Sequence, residues 1–82
     1  MKHKPKNAMV VAEGVYQHYK GGQYRVMYGN ARASNNDERE GTLQVVYMAL
    51  ADGKMYVRDV DEFLDFEDVK GEAVRRFAWV GP

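Results

Sequence analysis

Leu43-Gln44-Val45-Val46-Tyr47-Met48-Ala49-Leu50 leads through Ala51-Asp52-Gly53-Lys54 into Met55-Tyr56-Val57-Arg58. The first run is the most apolar segment of the chain. Its odd and even positions are both apolar, which predicts a central strand covered on both sides. Asp-Gly is a strong hairpin signal, because the turn needs backbone that glycine adopts freely. The third run alternates. With the apolar pair turned inward, Met55 and Val57 face the core and Tyr56 and Arg58 face out. A strand, a tight turn and a second strand make this part of the chain β.

The flanking segments read the same way. Gly14-Val15-Tyr16-Gln17-His18-Tyr19 is a short strand rich in rings, and Lys20-Gly21-Gly22-Gln23 is a tight connection. Tyr24-Arg25-Val26-Met27-Tyr28 alternates as a strand, and Gly29 marks a bulge or bend. Ala33 to Gly41 is polar, has Asn/Asp turn chemistry and reads as an exposed loop. Asp59-Val60-Asp61-Glu62-Phe63-Leu64 is the one helical turn. Asp59 is placed to cap it with Glu62 as the capping-box partner, and Phe63 to plug the end of the core. Asp65 to Val69 is expected to return as a strand. Val69-Lys70-Gly71-Glu72 is a turn, and Arg75 to Val80 closes the chain with Phe77 and Trp79 on one face. The prediction is an all-β fold: a small SH3-like barrel of five to six short antiparallel strands with one short helical turn.

With 82 residues the chain is one domain. Residues 1–12 are expected to be a flexible basic tail and residues 13–82 a single β-barrel domain. Lys+Arg and Asp+Glu number 12 each, so the net charge is zero, which argues against a protein built mainly for the DNA backbone. The balance is uneven: residues 1–32 carry +5 and residues 33–82 carry −5. A chain this short buries only about 60% of its unfolded surface, so it needs an efficient core or a second copy of itself. The apolar run from Ala8 to Ala12 is too short for a signal peptide, and no stretch is long enough to span a membrane. A soluble, cytoplasmic protein with no membrane partner is expected.

Several chemistries have no assembled residues. There is no cysteine, so no disulfide, thiolate metal site or thiol nucleophile. The single Ser34 lies in a polar loop with nothing to organise it against His18. His3 and His18 show no metal-ligand spacing, and the acids from Asp59 to Asp68 lack the EF-hand glycine. Gly21-Gly22 has no phosphate-loop frame. No catalytic residue, metal or cofactor is expected, and the chain reads as non-enzymatic.

The rings point elsewhere. Tyrosine joins an apolar face to a hydroxyl, which suits both a core wall and a recognition surface, and there are six here. Alternation puts Tyr16, His18 and Lys20 on one face of the first strand, and Tyr56 and Arg58 on one face of a later one. Such aromatic and basic faces bind extended peptides or single strands of nucleic acid. Tyr16, His18, Lys20, Tyr56 and Arg58 are the candidate binding residues. They would take an anionic or carboxylate-bearing partner, with binding strengthening as pH falls through about 6.5. The plainer reading makes Tyr19, Tyr24, Tyr47 and Tyr56 core residues and Arg58 an internal strut paired with an acid such as Asp61 or Glu62.

The stretches Gly14-Val15-Tyr16-Gln17-His18-Tyr19-Lys20-Gly21, Tyr24-Arg25-Val26, Val45-Val46-Tyr47-Met48-Ala49-Leu50, Tyr56-Val57-Arg58 and Glu62-Phe63 occur in this order. Together they resemble the small bacterial domain of unknown function 1653, whose pattern runs GxYxHYKGxxYxV, VVYxAL, WVRPLExF, VPRF. The resemblance covers about residues 14–77 and implies a compact β-rich domain without implying a reaction. There are departures: Ala33-Ser34-Asn35-Asn36 stands where the family has His-Ser-Glu-Thr, Tyr56 where it has Trp, and Asp59 and Arg75 where it has Pro. Two functions follow. One is a non-enzymatic module that binds a peptide, a protein or single-stranded nucleic acid through its aromatic-basic face. The alternative is a binder of a small ligand, a nucleotide or other anion, with its site at the interface of a homodimer.

Overall fold

The computed structural model describes residues 11–34, 37, 38 and 40–82. The rest of the basic tail, with His3, and the loop residues Asn35, Asn36 and Arg39 lie outside the described residues. The elements are β1 (Gly14–His18), β2 (Gln23–Arg32), β3 (Leu43–Ala49), β4 (Met55–Asp59), α1 (Val60–Phe63), β5 (Phe66–Val69), β6 (Glu72–Arg75) and β7 (Phe77–Gly81). The fold is all-β, with antiparallel pairing throughout.

β1 to β4 form a meander that β7 joins beside β1, giving the order β4-β3-β2-β1-β7. β5 and β6 form a separate two-stranded hairpin. Two expectations change. Seven strands are present among the described residues, because Val69 to Glu72 turns one strand back on another, with Lys70 and Gly71 both at positive φ. Strand pairing does not close a barrel: β4 and β7 remain the two edges of the larger sheet.

The core sits on one face of that sheet, where Tyr16, Val26, Val45 and Tyr47 meet Val60, Phe63 and Phe77. Phe63 is fully buried, as expected of a plug. Its ring stacks on Phe77 with centroids 4.1 Å apart and planes at 4°. The capping expectation fails: the Asp59 side chain makes no cap hydrogen bond to α1, and its carboxylate instead accepts a hydrogen bond from Gln44 Nε2 at 2.5 Å. Gln44 is buried, so its amide needs that acceptor more than an exposed helix end does.

Val11 is buried in the core, and its N–H donates to the Gly29 carbonyl at 3.2 Å. The bend expected at Gly29 is present, since the β2–β3 register shifts between Tyr28 and Ala31. The glycine has a second cause. A Cβ there would stand 1.7 Å from the Val11 carbonyl oxygen, so only glycine admits the N-terminal segment.

The facing of β4 is the reverse of the sequence expectation. Val45 pairs with Arg58 and Tyr47 with Tyr56, so Arg58 and Tyr56 lie on the core face. Met55 and Val57 lie on the outer face with Met48 and Val46, and are 52% and 63% exposed.

Candidate functional site

The Asp52-Gly53 turn builds the site. Ala49 pairs with Lys54 across it, which sets Tyr47 opposite Tyr56 and Val45 opposite Arg58. Tyr47 and Tyr56 stack at 5.7 Å, and Tyr24 on β2 meets both edge-on at 5.6 and 6.2 Å. From the far side, β1 and β7 bring His18 opposite Phe77, with ring centroids 4.9 Å apart. These residues and Arg58 line an open cleft of about 170 Å³, room for roughly one ring, since a void of about 150 Å³ admits benzene.

Three of the five expected residues therefore converge: His18, Tyr56 and Arg58. Tyr16 does not join them. It is buried, with its ring edge-on to Phe63 and Trp79 and its hydroxyl donating to the Ala12 carbonyl at 2.8 Å. Burial pushes that phenol above its ordinary pKa. Lys20 is exposed and lies outside the cleft, its ammonium 5.8 Å from the Tyr19 ring. Tyr24, Tyr47 and Phe77 are the residues that the sequence reading missed. The signal that could have found Tyr47 is the hairpin register, which places it directly across from Tyr56.

Arg58 is held from both sides. Its Nε donates to the Tyr47 hydroxyl at 3.2 Å, Glu62 stands 3.8 Å from Nη1, and its guanidinium carbon lies 5.9 Å from the centre of the Phe77 ring. The bond to Tyr47, above all, raises its pKa further. The strut reading is thus partly met by Glu62, while a third of the side chain still faces water.

His18 Nδ1 accepts the Lys20 backbone N–H at 3.1 Å. An amide N–H only donates, so the neutral ring carries its proton on Nε2. Desolvation lowers the His18 pKa, followed by the charges of Arg58, Lys20 and Arg76, with Glu67 opposing. Three cations and one carboxylate thus act on the His18 ring. Among the described residues no carboxylate lines the cleft; Glu62 pairs with Arg58 and Glu67 with Arg76.

A larger hollow of about 620 Å³ lies where Ala31, Ala33, Val46 and Val57 adjoin Asp59 and Glu62. No ring lines it among the described residues; Arg58 pairs with Glu62, Asp59 accepts from Gln44, and Arg32 donates to the Gly41 carbonyl. Size alone therefore does not mark it as the site. Among the described residues no three His, Asp or Glu are grouped to hold a metal, and no helix is long and apolar enough to cross a membrane.

The sequence pattern of the protein family of unknown function DUF1653 matches residues 14–79, which run from the start of β1 into β7. The chain belongs to the DUF1653 family. A crystal structure of a DUF1653 protein from Bordetella bronchiseptica is similar, at 32% identity over 87% of this chain and 88% of that one, with a TM-score of 0.73. No curated protein matches the chain. The cleft lies wholly within the segment that the DUF1653 pattern covers.

Proposed function

We propose that this DUF1653 domain is a non-enzymatic binding module whose cleft takes a planar ring bearing a negative charge. One observation carries the reading: a ring-walled cleft presents the Arg58 guanidinium and the His18 imidazole, and among the described residues no carboxylate lines it. The rings of Tyr24, Tyr56 and Phe77 supply apolar and stacking contact. Arg58 and His18 supply charge-assisted hydrogen bonds to a carboxylate or phosphate. A space for about one ring makes the recognised unit an end group or a small molecule. A peptide ending in an aromatic residue, the terminal nucleotide of a strand and a free nucleotide all present that chemistry. An extended strand would need a longer basic track, and the neutral chain does not provide one.

The test is a titration of the isotope-labelled protein with benzoate, uridine monophosphate and inorganic phosphate, followed by NMR. The ring anions should shift the resonances of His18, Tyr24 and Tyr56, and phosphate alone should do so more weakly. Tyr56→Ala should weaken the ring anions by about tenfold or more, the loss of roughly 1.4 kcal/mol of ring contact. A protein whose cleft resonances ignore both ring anions would sink the reading.

A further inference from the structure

β4 is an edge with a defined set of free backbone groups. The Ala49 N–H donates to the Lys54 carbonyl at 2.9 Å, so residues 49 and 54 form a hydrogen-bonded pair. Along an antiparallel ladder such pairs alternate. Tyr56 and Arg58 therefore direct their N–H and C=O groups at β3, while Met55 and Val57 direct theirs away from the sheet. Among the described residues no strand pairs with them.

Proteins blunt such edges with bulges, Pro or Lys, because an open edge templates pairing with another chain. β7, the opposite edge, has these devices: its register with β1 is bulged and it runs into Gly81-Pro82. Within β4 there is no bulge, Pro or Lys, and its inward charge, Arg58, is engaged by Tyr47 and Glu62. Its register with β3 is unbroken, and it exposes Met55 and Val57 on the outer face.

We propose that β4 is the interface between two copies of this chain, paired antiparallel about a twofold axis at Val57. Self-complementarity selects both the occupant and the register. Of the symmetric pairings that match the free backbone groups, those centred on Tyr56, Val57 and Arg58 overlap three or more residues of β4. Centred on Tyr56, the pairing sets Arg58 opposite Lys54 of the partner subunit. Centred on Arg58, it sets that arginine opposite its own copy. Like charges directly opposed destabilise a sheet. Centred on Val57, it sets each Arg58 opposite Tyr56 of the partner subunit, a favourable cation and ring pair. This register also brings a second arginine to the face on which Tyr56 borders the cleft, so the partner copy contributes to the site. The interface rests on backbone geometry and is independent of the ligand read into the cleft.

Sedimentation of the full chain should give twice the monomer mass, and Val57→Lys, which opposes two ammonium groups on the axis, should halve it. The chain has no cysteine, so single thiols can be introduced cleanly. Across a hydrogen-bonded pair the Cα atoms stand about 5.5 Å apart, within disulfide reach. Under mild oxidation Val57→Cys should cross-link fully into a covalent dimer, while Leu50→Cys, exposed but off the axis, should not. A wild-type monomer at high concentration, or equal cross-linking of the two thiols, would overturn the interface. If Val57→Lys fails to fold by circular dichroism, the cysteine pair still decides.

Discussion

His18 is held in one tautomer by the turn that follows it, because Nδ1 receives the Lys20 N–H. Protonating Nδ1 would set two donors against each other. Burial and the nearby cations keep the folded pKa below the unfolded value of about 6.5. Below that pH the unfolded chain takes up a proton that the folded chain resists, so acid favours unfolding. The His18 contribution is complete above pH ~6.5 and is lost as pH falls through the lower, folded value. The melting midpoint should decline over this window, modestly because water reaches the ring, and His18→Gln should flatten the decline. Anion binding should also strengthen with acid, with its midpoint below the 6.5 read from an unperturbed histidine. Tyr56 and Arg58 are neither free surface nor full core: Tyr56 is 43% exposed. Replacing both by Ala should abolish binding of ring anions and cost about 1–3 kcal/mol, less than the 3–5 kcal/mol of a buried ring alone. Chemical denaturation of the double variant measures the cost. Of the candidate site, the sequence showed one cation, Arg58, and two ring residues, His18 and Tyr56. It could not show which side of β4 is inside, because alternation defines two faces without ranking them. Met55 and Val57 are the more apolar pair, yet Tyr47 and Val45 across the ladder draw Tyr56 and Arg58 inward.

At the scale of elements, α1 is one turn whose role is to seat Phe63. Four rings or aliphatic groups of different origin converge there: Phe77 from β7, Tyr16 from β1, Tyr47 from β3 and Val60 from the turn itself. Phe63 is fully buried, so Phe63→Ala should cost about 3–5 kcal/mol, much of the stability of a small domain. The thermal transition should drop severely or vanish; an unchanged melting curve would contradict this packing. The strands of the meander were legible because Gly-Gly and Asp-Gly turns punctuate alternating apolar runs. The β5–β6 hairpin was only half legible. Its strands carry few core residues, and Phe66 lies 51% exposed beneath the Arg75 guanidinium at 4.7 Å. The Asp59 cap was misread because buried Gln44, far away in sequence, takes its carboxylate. Closure of the barrel was also beyond local reading, since it depends on whether β4 and β7 meet.

The whole molecule is one five-stranded sheet with its core on one face, and a hairpin attached through few points. β5 and β6 are mostly exposed and, among the described residues, pair only with each other. An isolated two-stranded hairpin is marginal in water, so this one depends on its anchors. Arg76, at the junction with β7, is the chief anchor. Its Nε donates to the Glu67 carboxylate at 2.5 Å and its Nη1 to the Glu62 carbonyl at 2.8 Å, which tie β5 to the end of α1. Its backbone N–H donates to Asp65, and its carbonyl accepts from Tyr19, both at 3.0 Å. Both side-chain bonds are charge-assisted and the one to Glu67 is half-buried, so losing them weakens the junction while the backbone bonds persist. Local opening free energies range from near zero up to the global value, and weakly packed units lie at the low end. Hydrogen exchange should therefore show β5 and β6 opening before β2 and β3 in the wild type. Arg76→Ala should speed exchange in the hairpin by about tenfold, the effect of losing roughly 1.4 kcal/mol of local stability, and leave the slowest amides of β3 nearly unchanged. Equal acceleration across both sheets would mean that the hairpin and the main sheet open as one unit and that Arg76 braces the entire fold.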